Sequence, residues 1–141
     1  MLLSMTTGTY LNRGVSEEQM LDMMKNGGFD AMDFSFFSAE YYDEASESKK
    51  TKPEYYKNLK KLADEKGIVF NQAHAPFGSS FENEEETKKR FNDITASMRN
   101  AALLGVKNIV VHPCQHLTYA NDGVPEQLYE IKMELYNRLK P

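Results

Sequence analysis

Residues 101–113 read Ala-Ala-Leu-Leu-Gly-Val-Lys-Asn-Ile-Val-Val-His-Pro, and this stretch decides the fold. Small and apolar residues carry a helix to Gly105, where the periodicity stops. The run 106–111 that follows is short, β-branched and bounded by Gly105 and Pro113, the pattern of a buried strand. The same entry from a helix-ending glycine recurs at Gly67-Ile68-Val69-Phe70. Working outward, strand candidates cover 2–10, 29–37, 68–74 and 106–112.

Each strand candidate is followed by a helical stretch. The first helix opens at Ser16, with Gln19 three residues on in capping-box spacing. Met20, Met23 and Met24 form its predicted apolar side, and Gly27-Gly28 stops it. The second opens after Pro53 and carries Tyr56, Leu59, Leu62 and Ala63 at helical spacing, ending at Gly67. The third starts in Glu84, Glu85 and Glu86, where the helix dipole favours negative charge. Its predicted stripe is Phe91, Ile94, Met98, Ala101 and Ala102. The fourth starts near Pro125, with Leu128, Ile131, Leu135 and Leu139 on one side. Residues 43–52 and 78–86 read as solvated loops. Strands alternating with helices of this length require crossover connections, and hence an α/β fold with a parallel sheet.

Composition narrows the class further. A chain of 141 residues with 40% hydrophobic residues, eight Tyr and eight Phe has enough apolar area to fold as one domain. No run approaches the ~18 apolar residues of a membrane span. The first dozen residues lack the basic start and unbroken apolar run of a secretory signal, and the single cysteine, Cys114, suits a reducing compartment. A cytoplasmic location is therefore expected. The net charge of −4 argues against a nucleic-acid partner. Gly8 to Gly14 lacks G-x-G-x-x-G spacing, so no dinucleotide loop is present there. The basic run Lys88-Lys89-Arg90 adjoins Glu84 to Glu86 and reads as a solvated helix face.

Parallel α/β folds bind ligands at the carboxyl ends of their strands. Tyr10 and Asn12 lie there after the first strand, and Asp33 with Phe34 to Phe37 at the second. The third ends in Asn71 to Phe77, and the fourth in Val111 to His116. All three histidines, His74, His112 and His116, fall in the last two segments. A neutral imidazole there ligates a divalent metal, hydrogen-bonds a polar substrate, or simply caps a strand end. Asp33 is a candidate ligand, base or strand-flanking residue. Tyr10, Phe34, Phe36 and Phe37 offer an apolar wall for a sugar ring or a base, although aromatic residues in strands commonly serve the core. His112, Cys114 and His116 together do not match a zinc pattern.

The combination Gly28 to Asp33, His74-Ala75-Pro76-Phe77 and Val111-His112-Pro113, with 101–113 its most specific part, resembles the xylose isomerase-like barrel superfamily. The resemblance implies a TIM barrel, (β/α)8, with a divalent metal ion (Mn, Mg, Co or Zn) at its carboxyl-terminal face. It implies a sugar or sugar-phosphate isomerase or epimerase acting on a metal-bound ketose or aldose. Tyr10, Asp33, Phe37, His74 and His112 would then contact the substrate, with His74 and His112 also the candidate metal ligands. The alternatives it carries are a zinc phosphodiesterase of the AP-endonuclease type, in which His74 and His112 bind zinc, and a non-catalytic half-barrel assembly module. Two departures stand out. Many relatives carry Glu where this chain has Asp33, and the main carboxylate metal ligands of the isomerase branch lie on strands five to eight. A complete barrel takes ~250 residues, so residues 1–141 correspond to an amino-terminal half, four of eight βα units. Those carboxylate ligands are thus absent from the chain rather than mutated. The expectation is either a piece of a full barrel or a half closed by a second copy or a partner chain. A lone half would leave two sheet edges and its inner face uncovered.

Overall fold

In the computed structural model the chain is described at residues 2–11, 13–43, 45–78, 83–112, 133 and 137. Four strands alternate with helices: β1 Ser4–Thr6, α1 Gly8–Leu11, α2 Glu17–Asn26, β2 Ala31–Ser35, α3 Pro53–Glu65, β3 Val69–His74, α4 Glu84–Leu103 and β4 Ile109–Val110. Single 3-10 turns at Ala39–Tyr41 and Lys49–Thr51 lie between β2 and α3. The sheet order is β1-β2-β3-β4 and every pairing is parallel. This is the α/β arrangement expected of four barrel units. Of the expected helix at 125–139 only residues 133 and 137 are described, both helical, and Asn12, Cys114 and His116 lie outside the described residues. No described helix is long and apolar enough to cross a membrane.

Local chemistry sets the element ends. The capping box at α2 is complete: Ser16 Oγ accepts from the Gln19 amide at 3.2 Å, and Gln19 Oε1 from the Ser16 amide at 3.1 Å. Past α3 and α4 the chain turns at Gly67 and Gly105, with φ of 66° and 79°, a conformation a Cβ disfavours. The strands are shorter than the apolar runs that signal them. β1 stops at Thr6 because Thr7 Oγ1 takes the Ser35 amide, at 2.9 Å, and residues 8–11 coil into α1. After Gly105, the Val106 amide turns back to the Ala101 carbonyl, so β4 pairs only at Ile109 and Val110. Between β2 and β3 the register moves from Met32↔Phe70 to Asp33↔Gln72, a bulge that leaves Asn71 as the extra residue.

The helices cover one face of the sheet, and Phe34 of β2 is the centre of the core beneath them. Its ring lies 4.7 Å from Phe36, 5.4 Å from Tyr41, 6.1 Å from Tyr56 and 6.0 Å from Phe70, centroid to centroid. Met20, Leu21, Met24, Met32, Leu59, Ile68 and Leu104 complete the packing. The turn after β2 is tied down at one atom. The Tyr41 carbonyl accepts from Tyr56 Oη at 2.5 Å and from Asn100 Nδ2 at 3.0 Å, joining α3 and α4 to this turn. Burial pushes the Tyr41 phenol up to about 12, against the pull of the Lys50 ammonium.

Two predicted helix faces are corrected. On α2, Leu21 is buried and Met23 is exposed. On α4 the buried residues are Asp93, Ile94, Ala96, Ser97, Asn100 and Ala101, while Phe91 is 66% exposed and Met98 44% exposed. The small residues let α4 approach closely, and Asn100 is held inward by the Tyr41 carbonyl. Asp93 is matched by Lys89 at 3.5 Å and Arg90 at 3.7 Å. Hydrophobic periodicity ranks these polar residues as outward, whereas their partners place them inward.

The opposite sheet face carries polar pairs from Ser4, at the start of β1, to His74, at the end of β3. Ser4 Oγ donates to Asn71 Oδ1 at 3.0 Å, Thr6 and Ser35 hydroxyls share a 2.7 Å hydrogen bond, and Gln72 and His74 both meet Asp33. Val69, at the start of β3, is an exposed apolar residue. Among the described residues, β1 and β4 each have one unpaired edge.

Two stability effects follow. Asn100→Ala and Tyr56→Phe each leave the Tyr41 carbonyl one donor and should cost about 1 kcal/mol in urea unfolding. The double variant should lose more than the sum, because the buried carbonyl is then left bare; simple additivity would contradict this account. Burial pushes the Glu17 carboxyl up, but the Tyr55 hydroxyl at 2.8 Å, the Glu17 backbone amide and Lys50 together hold it below its ordinary value. A depressed folded value means the contribution is present above the unfolded glutamate range and is lost as pH falls through the folded value. Urea midpoints measured from pH 7 to pH 3 should therefore fall less steeply for Glu17→Gln.

Candidate functional site

The period of two along β2 sends Met32 and Phe34 to the helices and Asp33 and Ser35 to the inner face. The β2–β3 bulge then sets Gln72 opposite Asp33, and His74 opposite Ser35. Asp33 Oδ1 lies 2.9 Å from His74 Nδ1, and Asp33 Oδ2 accepts from Gln72 Nε2 at 2.8 Å. The side chains of Asp33 and His74 are 15% and 24% exposed, so the pair is partly screened yet reachable.

A run of rings borders the pair. The His74 and His112 rings are 5.6 Å apart and inclined by 24°. Phe77 lies 4.8 Å from His112 and stacks on Phe37 at 4.4 Å and 23°. Phe37 also meets the His74 ring edge to face at 6.2 Å. Phe37 and Phe77 remain 41% and 45% exposed, an open apolar surface beside the polar pair. His112 Nε2 is buried and has no hydrogen-bond partner among the described residues.

Of the residues marked out in the sequence, Asp33, Phe37, His74 and His112 thus come together at the carboxyl ends of β2, β3 and β4. Tyr10 does not join them. It lies in α1, its hydroxyl donates to Met5 Sδ at 3.4 Å, and its ring packs against the core. Gln72 and Phe77 enter the cluster without having been singled out. For Gln72 the available signal was the polar pair Asn71-Gln72, which breaks strand alternation where the bulge occurs. For Phe77 it was the turn after Pro76, which bends the chain back over the strand ends.

No three His, Cys, Asp or Glu side chains among the described residues converge as a metal-binding group. His74 and His112 supply two imidazoles against the three protein ligands usual for a catalytic zinc. By themselves these residues do not fit a resident divalent ion.

No protein-family model matches the chain, and no curated protein does. Solved structures do. The chain is similar to D-psicose 3-epimerase, crystallised in the presence of D-fructose, with a TM-score of 0.59 and 19% identity over 99% of this chain and 47% of that one. It is also similar to a xylose isomerase-like TIM barrel/4-hydroxyphenylpyruvate dioxygenase fusion protein, with a TM-score of 0.53 and 14% identity over 96% of this chain and 20% of that one. The chain therefore spans about half the length of the epimerase it matches. At these identities the likeness is one of fold: four parallel strands alternating with helices, about half of a TIM barrel.

Proposed function

We propose that the chain forms one wall of a sugar-binding site of the isomerase or epimerase type, open to a ketose, an aldose or their phosphates. The observation that carries this reading is the meeting of Asp33, His74 and His112 with the exposed Phe37–Phe77 face at consecutive strand ends. Sugars present hydroxyls along their edges and C–H groups on their faces. The imidazoles supply polar contacts for the former, and the phenyl rings an apolar surface for the latter. The likeness to an epimerase fold supports the same reading.

Isomerisation or epimerisation moves hydrogen between or at carbons next to a carbonyl, and this chemistry needs acid–base groups on both sides of the substrate. The described residues furnish one side. The opposite wall, and the carboxylates that would complete a site for a divalent ion, come in this reading from a second copy, a partner chain or further sequence.

Two measurements test the proposal. In NMR titrations of the chain with D-fructose and a ketose phosphate, the side-chain signals of Phe37, His74 and His112 should move, and His74→Ala should weaken binding about tenfold. A panel of ketoses and aldoses that leaves all three signals in place would exclude the reading. Calorimetric titration with Zn2+ or Mn2+ should show only weak binding. Submicromolar zinc affinity, abolished by His74→Ala and by His112→Ala, would instead reveal a complete ligand set and favour zinc chemistry.

A further inference from the structure

Gln72, Asp33 and His74 form a continuous hydrogen-bonded chain across β2 and β3, with distances of 2.8 and 2.9 Å. The direction of each bond follows from the groups themselves. The amide of Gln72 must turn its Nε2 toward the carboxylate, since its oxygen would oppose another acceptor. Asp33 accepts there at Oδ2 and offers Oδ1, also an acceptor, to the imidazole. Nδ1 of His74 must then carry the hydrogen.

We infer that Gln72 and Asp33 position His74 with its proton on Nδ1, so that Nε2 presents a lone pair to a hydroxyl of the ligand. Gln72 is a positioning residue here, acting through Asp33 and not on the ligand. The bulge makes this arrangement available: it sets Gln72, and not Asn71, opposite Asp33, on the same strand face as His74. Asn71 is occupied elsewhere, accepting from Ser4 Oγ at 3.0 Å. With its carboxylate bonded at both oxygens, Asp33 cannot rotate without breaking one of the two bonds. The imidazole is held in one tautomer and one orientation, as a buried aspartate holds a catalytic histidine in the serine-protease triad.

This orientation has a consequence for ligand chemistry, which rests on the sugar-site reading above. A lone pair backed by a carboxylate attracts an O–H donor and opposes the acceptor oxygens of a phosphate. The group meeting His74 is therefore a sugar hydroxyl, and the phosphate of a sugar phosphate binds away from this wall.

The test is nitrogen-15 NMR of the His74 ring in the 141-residue chain, with a chelator present to remove metal. The expected spectrum shows a protonated Nδ1 and an unprotonated Nε2. Asp33→Asn should invert that tautomer, because the new amide can donate to Nδ1, and Gln72→Met should shift the population toward Nε2–H with the backbone amide spectrum otherwise retained. A wild-type His74 protonated at Nε2 would overturn the inference, as would a tautomer indifferent to Gln72→Met. The wild-type and Gln72→Met spectra decide the matter even where Asp33→Asn does not fold. Added D-fructose should move the Nε2 signal while inorganic phosphate should not; movement by phosphate alone would overturn the hydroxyl assignment. Nδ1–H with no response to any sugar would count against the sugar site and leave the positioning role standing.

Discussion

Alternation along β2 is the constraint on which both the core and the site depend. Met32 and Phe34 point to the helices, and Asp33 and Ser35 to the inner face. A slip of one residue would exchange the two sets, placing the Asp33 carboxylate among aromatic rings and Phe34 in the open. Each set therefore enforces the position of the other. The strand is also paired on both sides, by β1 and β3, so its register is fixed by two ladders as well as by burial.

Beyond Ser35 the chain leaves the sheet, and its path is governed by the Tyr41 carbonyl. Two buried donors, the Tyr56 hydroxyl and the Asn100 amide, converge on that oxygen from different helices. Leaving a buried carbonyl unpaired is costly, so the turn, α3 and α4 are coupled through a single acceptor. That coupling explains why α4 turns Asn100 and Ser97 inward and leaves Phe91 and Met98 exposed. It also steadies the turn that follows Phe36 and Phe37, the one buried in the core and the other standing at the rim beside His74.

The inner face is organised differently from the core. Its polar side chains satisfy one another, through Ser4 with Asn71, Thr6 with Ser35, and Gln72 and His74 with Asp33. Paired in this way, the face bears exposure without presenting a large apolar patch. The rings of Phe37, Phe77, His112 and His74 then form a border where apolar and polar chemistry meet. Such a border suits a ligand that is itself amphipathic at short range, as sugars are. Among the described residues no three His, Cys, Asp or Glu side chains converge as a metal-binding group.

The sequence by itself determined the order of the strands and main helices, the parallel sheet, the capping box at Ser16 and the placing of His74 and His112 at strand ends. These rest on local chemistry: β-branched runs, helix-ending glycines and turn residues act within a few positions of themselves. The inward face of α4, the path of Tyr10 into the core and the bulge that recruits Gln72 were decided only by tertiary structure. Each depends on a partner far away in the chain, with Asn100 meeting Tyr41, Tyr10 meeting the core, and Gln72 meeting Asp33. Periodicity weighs a residue by its own polarity, whereas a folded protein weighs it by whether that polarity is matched.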